Sequence, residues 1–193
     1  MRFIRTRTAK AAAAALVAIP LAVVGPAASQ GYAEDASPSP TGTFGPDCAA
    51  LSQKADTARD KVVEAAAAYP ELSQLVSATV RAGLNGTLDA KPDITIFAPN
   101  DEAFQKVTAS QLASLLGNPG ELKKVLTYHV VDQQITPNEL SDGSFTTAEG
   151  GKLTTSGSGT DFKVNGEAGI VCGNIKAANA TIYVIDSVLQ PPS

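Results

Sequence analysis

The stretch Thr95-Ile96-Phe97-Ala98-Pro99-Asn100-Asp101-Glu102-Ala103-Phe104 decides the fold class. Ile94 to Phe97 are β-branched and aromatic, as a pleated buried surface requires, and Pro99 ends the run because it has no N–H to give to a ladder. Asn100 stands where a helix wants an N-cap, and Ala103, Phe104 and Val107 supply the apolar face behind it. A strand therefore feeds straight into a helix. Asp101 and Glu102 place negative charge in the first turn, where the helix dipole favours it.

Upstream the pattern is helical. Thr57 suits the cap of a helix holding Ala58, Val62 and Ala65, which Tyr69-Pro70 interrupts because proline disfavours a helical residue before it. Leu72, Leu75, Val76, Thr79 and Val80 then recur at three- and four-residue steps, and Gly83 lies where a left-handed C-terminal residue is wanted. Downstream, Ser110 and Asn118 read as two further N-caps, the second followed by Pro119 and Glu121. Leu122, Val125 and Leu126 form the apolar face of that helix. Val130-Val131 and Ile135 suggest extended chain, and Thr136-Pro137-Asn138-Glu139 repeats a helix-start arrangement for one turn.

After Gly143 the character changes. Short runs rich in Thr, Val, Ile and Phe alternate with Gly150-Gly151, Ser156-Gly157-Ser158-Gly159, Asn165-Gly166 and Asn179-Ala180. This is the pattern of a β-meander. Asn165-Gly166 predicts a hairpin between Phe162-Lys163-Val164 and Ile170-Val171, and Thr181 to Ile185 form the last strand. Helices first and strands later predict an α+β domain.

The N-terminus has a different purpose. Arg2, Arg5, Arg7 and Lys10 precede an alanine-rich apolar run from Ala11 to Val24, with small residues after it. That is the layout of a secretory signal peptide over residues 1–29, cleaved before Gln30, with a second candidate site before Glu34. Pro20, Gly25 and Pro26 interrupt the run, which is short for a membrane span. No membrane insertion is expected after cleavage. Residues 30–46, with Ser37-Pro38-Ser39-Pro40, read as a flexible tether, and 47–192 as one domain.

Composition narrows the chemistry. The 193 residues carry a formal charge of -4, one His and two Cys. Removing the leader takes away four of the fifteen cations and none of the nineteen acids, leaving -8. So acidic a surface argues against nucleic acid as a partner. One His and two Cys supply neither a four-ligand structural zinc site nor a three-His catalytic one, and no metal or other cofactor is expected. Export makes the cysteines a pair, and Cys48 to Cys172 is the single pairing available. A hydrolase would have to use His129, the chain's sole imidazole, without a Gly-x-Ser-x-Gly elbow to serve it. Its place at a helix-to-strand junction instead suggests a residue that fixes a backbone corner. Asn85-Gly86-Thr87 and Asn179-Ala180-Thr181 match the N-glycosylation pattern.

Three segments carry a family resemblance. The opening stretch resembles the first signature of fasciclin domains, Val125-Leu126-Thr127-Tyr128-His129-Val130-Val131 resembles their central Tyr-His motif, and Asn179 to Leu189 resembles the closing one. The likeness runs from about Cys48 to Pro192 and is most similar to the bacterial branch of major secreted immunogenic proteins. It implies a β-wedge of two sheets with several helices packed along one side. It implies a secreted, non-enzymatic module for cell adhesion or extracellular matrix binding, acting as a monomer. The expected partner is an extracellular protein, matrix or cell-surface polysaccharide. Tyr128 and His129 occupy the positions implicated in partner contact, while Phe97, Pro99, Asn100, Asp101, Phe104 and Asp186 match positions of architectural character. The alternative expectation is an exported module for a small apolar ligand or lipid, held between the helices and the wedge.

Overall fold

Every position of β1 (Ile94–Pro99) is buried, and so is every position of β7 (Ala180–Ile185). The two run parallel, paired from Ile94 with Ala180 to Pro99 with Ile185, while β2 (Val130–Val131) lies antiparallel on the other side of β1. The computed structural model that shows this describes residues 42–51 and 57–192; the expected signal peptide and the tether as far as residue 41 lie outside the described residues. The remaining strands are β3 (Asp142–Thr146), β4 (Lys152–Ser158), β5 (Asp161–Val164) and β6 (Ala168–Lys176). They form the antiparallel meander, and the full order is β2-β1-β7-β6-β5-β4-β3.

Two register shifts in β6, between Ile170 and Cys172 and between Cys172 and Ile175, divide its pairing. Its first residues, Ala168 and Gly169, pair with β5, and the stretch from Ile170 to Lys176 pairs with β7. Bulges of this kind bend a strand and increase its twist. The sheet therefore curls at β6, and a bridge from Val131 of β2 to Thr147, just past β3, joins its two ends. The result is a mixed, nearly barrel-shaped sheet backed by helices.

Curling gives the central strands two buried faces. Ile94, Ile96 and Ala98 belong with Ala180, Ile182 and Val184 to a core shared with the helices. Phe97, Tyr183 and Ile185 point into a second core inside the curl, with Leu153, Phe162 and Val164. Phe97 and Tyr183 stack there with centroids 5.7 Å apart. Each large side chain so buried stabilises the fold by about 1.5–3 kcal/mol. On β4 and β5, farther from the helices, burial alternates residue by residue, because only their inner face is covered.

The helices are α1 (Cys48–Leu51), α2 (Val62–Ala67), α3 (Ser73–Arg81), α4 (Asn85–Ala90), α5 (Asp101–Lys106), α6 (Ala109–Gly117) and α7 (Pro119–Tyr128). Thr57 opens a short 3-10 turn ahead of α2 and donates its hydroxyl to Lys176 O, where the sequence suggested the cap of one continuous helix. Thr108, not Ser110, caps α6, through a reciprocal box with Gln111. Asn118 caps α7 as expected, accepting from the N–H groups of Gly120 and Glu121. Gly83 follows α3 at φ +65°. Val80, expected on the buried face of that helix, is 55% exposed. The helix α4 has no counterpart in the sequence reading, which took from Asn85-Gly86-Thr87 only a match to the N-glycosylation pattern.

Three links tie the layers. The Cys48–Cys172 disulfide joins α1 to β6 with 4.8 Å between the Cα atoms. Phe44 is buried, edge-on to Phe162 at 5.3 Å, and bridges to Gly173. The packed domain thus begins before residue 47, inside the segment expected to be tether. Gly173 is required there, because a Cβ would come within 2.7 Å of the Phe44 ring. Asn179 accepts from Val62 N at 3.0 Å and donates to Leu88 O and Lys91 O at 2.9 Å each, pinning α2 and α4 to the β6–β7 turn. Its amide is therefore occupied in the folded state, which argues against glycosylation at this position, where the sequence carries only the acceptor pattern. Asn179→Ala should lower stability by about 2 kcal/mol in a urea titration. A change under about 0.5 kcal/mol would show that the pin is idle.

Candidate functional site

The Tyr-His corner follows from the sequence of α7. Leu122, Val125 and Leu126 bury one face against the sheet, the helix ends at Tyr128, and His129 is its C-cap before β2 starts. The cap position carries the imidazole inward, to 1% exposure. Nδ1 lies 2.7 Å from Val125 O, and Nε2 accepts the N–H of Leu189 at 2.9 Å. Two backbone partners of opposite polarity hold one neutral tautomer, with the proton on Nδ1. Burial lowers the pKa to about 4, overcoming the bond to Val125, which acts the other way. Tyr128 is 2% exposed. Its hydroxyl donates to Lys152 O at 2.7 Å and accepts from Asn165 Nδ2 at 3.0 Å.

These positions correct the expectation that Tyr128 and His129 meet a partner. Both side chains are interior, and each polar atom they carry is occupied by the domain's own groups. His129 fastens the C-terminal segment to α7, and Tyr128 fastens α7 to β4 and the Asn165-Gly166 hairpin. A partner reaching either ring would have to open the core.

The other motif residues hold the scaffold in more specific ways than the sequence suggests. Phe97 fills the core inside the curl, whereas Phe104 fills the one between helices and sheet. Pro99 ends β1, and Asn100 Oδ1 accepts from Ala103 N at 2.8 Å, capping α5. Asp101 reaches across to another helix, accepting from Ser73 Oγ at 2.7 Å and Gln74 N at 3.0 Å at the start of α3. Asp186 accepts from Gly169 N at 2.8 Å and pairs with Lys106 at 3.0 Å. Partial burial pushes its carboxyl pKa up, but hydrogen bonds from Lys106, Gly169 and Ser187 hold it below the ordinary value.

Other anchors give no sequence signal beyond being polar in an apolar run. Thr95, fully buried, donates to Gln133 O and accepts from Ile135 N, both at 2.8 Å. Tyr183 donates to Ile135 O at 2.8 Å. Burial, with Glu139 adding a smaller repulsion, raises the Tyr183 pKa. Together they hold the loop that follows β2.

Open space lies at the surface. A groove of about 560 Å³ runs between α6, α7 and the C-terminal segment, past Leu115, Lys124 and Pro191. A second, of about 410 Å³, lies between α1, the Pro70–Leu72 turn and the start of α5. The seam between helices and sheet, where the alternative reading would place a lipid, holds only about 30 Å³. That is room for a water molecule, not for an acyl chain. No described helix is long and apolar enough to cross a membrane.

A curled mixed sheet with helices on one side and a Tyr-His corner locked inside defines an α+β domain of the fasciclin kind. Residues 70–191 match the family model "Fasciclin domain", and the chain belongs to that family. It is 39% identical to the immunogenic protein MPB70 of Mycobacterium bovis over 94% of both chains. To the cell surface glycolipoprotein MPB83 of the same species it is 38% identical, over 85% of this chain and 72% of the other. A solved FAS1 domain pair from the insect cell adhesion molecule fasciclin I superposes with a TM-score of 0.53 at 17% identity. That match covers 63% of this chain and 46% of the pair, so this chain spans about half of the two-domain structure, and the likeness shows the fold alone. Secretion, expected from the leader, agrees with the cell-surface name of MPB83.

Proposed function

We propose that this protein is a secreted, non-enzymatic adhesion module, in which a single fasciclin domain recognises an extracellular protein, matrix or cell-surface polysaccharide. The observation that carries this reading is the state of His129. The chain's sole imidazole is buried with both nitrogens committed to backbone groups, so no nucleophile has a histidine base beside it. What the domain offers instead is surface, shaped into grooves on a rigid scaffold. Membership of the fasciclin family supports the same reading.

The test is saturable binding of the purified protein to immobilised matrix proteins and wall polysaccharides, run beside broad esterase and glycosidase screens. Binding with silent screens is the expected result. Turnover that disappears in a folded His129→Gln variant would overturn the non-enzymatic reading.

A further inference from the structure

We infer that Asn85 is a site of spontaneous modification, at which the main-chain nitrogen of Gly86 attacks the Asn85 side chain and water completes its conversion to aspartate and isoaspartate. This chemistry is independent of the adhesion role proposed above. It requires a glycine after the asparagine, because any larger residue hinders ring closure. Two Asn-Gly pairs occur among the described residues, Asn85-Gly86 and Asn165-Gly166.

The fold treats the two oppositely. Asn165 Oδ1 accepts from Thr154 N at 2.9 Å, and its Nδ2 donates to the Tyr128 hydroxyl at 3.0 Å. That amide cannot turn toward Gly166 without opening both bonds. Asn85 is half-buried, and its Oδ1 is sealed from solvent with no hydrogen-bond partner. Its Nδ2 takes part in no hydrogen bond among the described residues and is not sealed off in the same way. A buried carbonyl oxygen without a donor costs stability. Rotating the Asn85 amide out of its place therefore forfeits no hydrogen bond and returns the oxygen to water. The attacking group is equally unencumbered. Gly86 and Thr87 are exposed, and a Cβ at Gly86 would meet nothing within 4 Å, so the ring has room to form. Gly86 stands in the first turn of α4, where N–H groups have no intrahelical acceptor.

In the first step a bond forms between Gly86 N and Asn85 Cγ while the Cγ–Nδ2 bond breaks. Nδ2 leaves as ammonia, taking the proton that Gly86 N gives up. Water then opens the cyclic imide. Opening at Cγ gives aspartate; opening at the main-chain carbonyl gives isoaspartate, which routes the chain through Cβ and Cγ. The second product lengthens the backbone between Leu84 and Leu88, both buried, and so loosens α4 from the Asn179 amide that holds Leu88 O.

The test is to hold the disulfide-intact protein in neutral buffer, withdraw samples over time, and digest them briefly at mildly acidic pH for mass spectrometry. Cleavage after Arg81 and Lys91 releases residues 82–91, in which Asn85 is the sole asparagine. This peptide should gain the mass difference between –OH and –NH2 and split into two isomers. Asn165 should react at least about tenfold more slowly, because two hydrogen bonds have to open first. In denaturant, where neither side chain is held, the two rates should converge. Gly86→Ala, which has space for its methyl group and favours the helix, should slow the reaction at Asn85 by about tenfold or more in a folded protein. Asn165 reacting as fast as Asn85 in the folded protein, or a difference that persists in denaturant, would overturn the inference. So would an unchanged rate in the Gly86→Ala variant.

Discussion

Replacing Cys48 and Cys172 together by serine should lower the free energy of unfolding by about 5 kcal/mol. The disulfide closes a loop of 124 residues, nearly the whole described domain, so breaking it returns a large loop-closure entropy to the unfolded chain. Native geometry should change little, since α1 is also held to β6 by the hydrogen bond from Asp47 N to Val171 O and by the bridge between Phe44 and Gly173. The expected signature in guanidinium is a lower midpoint with a steeper dependence on denaturant, because the uncrosslinked chain exposes more surface. Domains are stable by only 5–15 kcal/mol as a rule, so the serine variant should be marginal or unfolded at elevated temperature. A loss below about 1 kcal/mol would contradict the clamp.

The second large effect is acid sensitivity centred on His129. Its folded pKa is about 4 against an ordinary 6.5. Between those values the unfolded chain binds a proton that the folded one refuses, so stability falls as pH falls. The contribution is complete above about pH 6.5 and lost by about pH 4, and at 1.36 kcal/mol per unit it amounts to about 3 kcal/mol. Protonating Nε2 would set two donors, His129 and the Leu189 N–H, against each other, so the C-terminal segment should release first. His129→Gln keeps an acceptor for Leu189 and removes the titration. The wild type should therefore lose about 3 kcal/mol more than the variant between pH 7 and pH 4. Glu139 and Asp186, whose carboxyls are held below their ordinary values by hydrogen bonds that outweigh desolvation, titrate in both proteins and cancel in the difference. Parallel pH profiles would show that His129 is exposed.

Local signals carried much of this fold into the sequence. The strand-to-helix step at Pro99 and Asn100, the Asn118-Pro119 start of α7 and the Asn165-Gly166 hairpin are each set by steric or capping rules that act within a few residues. Asn165 and Gly166 adopt φ +52° and +72°, as that turn requires. The parallel pairing of β1 with β7 has no such local signature, since the partners are far apart in the chain and meet only through the completed domain. The two bulges of β6 are likewise a product of curling.

The site was less legible, for a physical reason. A Tyr-His pair after an apolar helix face reads the same whether its rings point out to a partner or in to backbone groups. What decides the matter is that Lys152 O, Asn165 and Leu189 N wait inside with the complementary hydrogen-bonding groups, and these come from three other parts of the chain. Asn100 shows the converse. Its capping role is visible in the sequence, because the donor it serves, Ala103 N, lies only three residues on.

The central claim is that the Tyr-His motif is scaffold and that recognition belongs to the surface. It is tested most directly by adhesion to extracellular matrix measured per folded molecule for wild type and His129→Gln. Wild type should adhere, and the variant, though less stable, should adhere equally once scaled to its folded fraction. A well-folded His129→Gln protein that no longer adheres, or a wild type that never does, would contradict it.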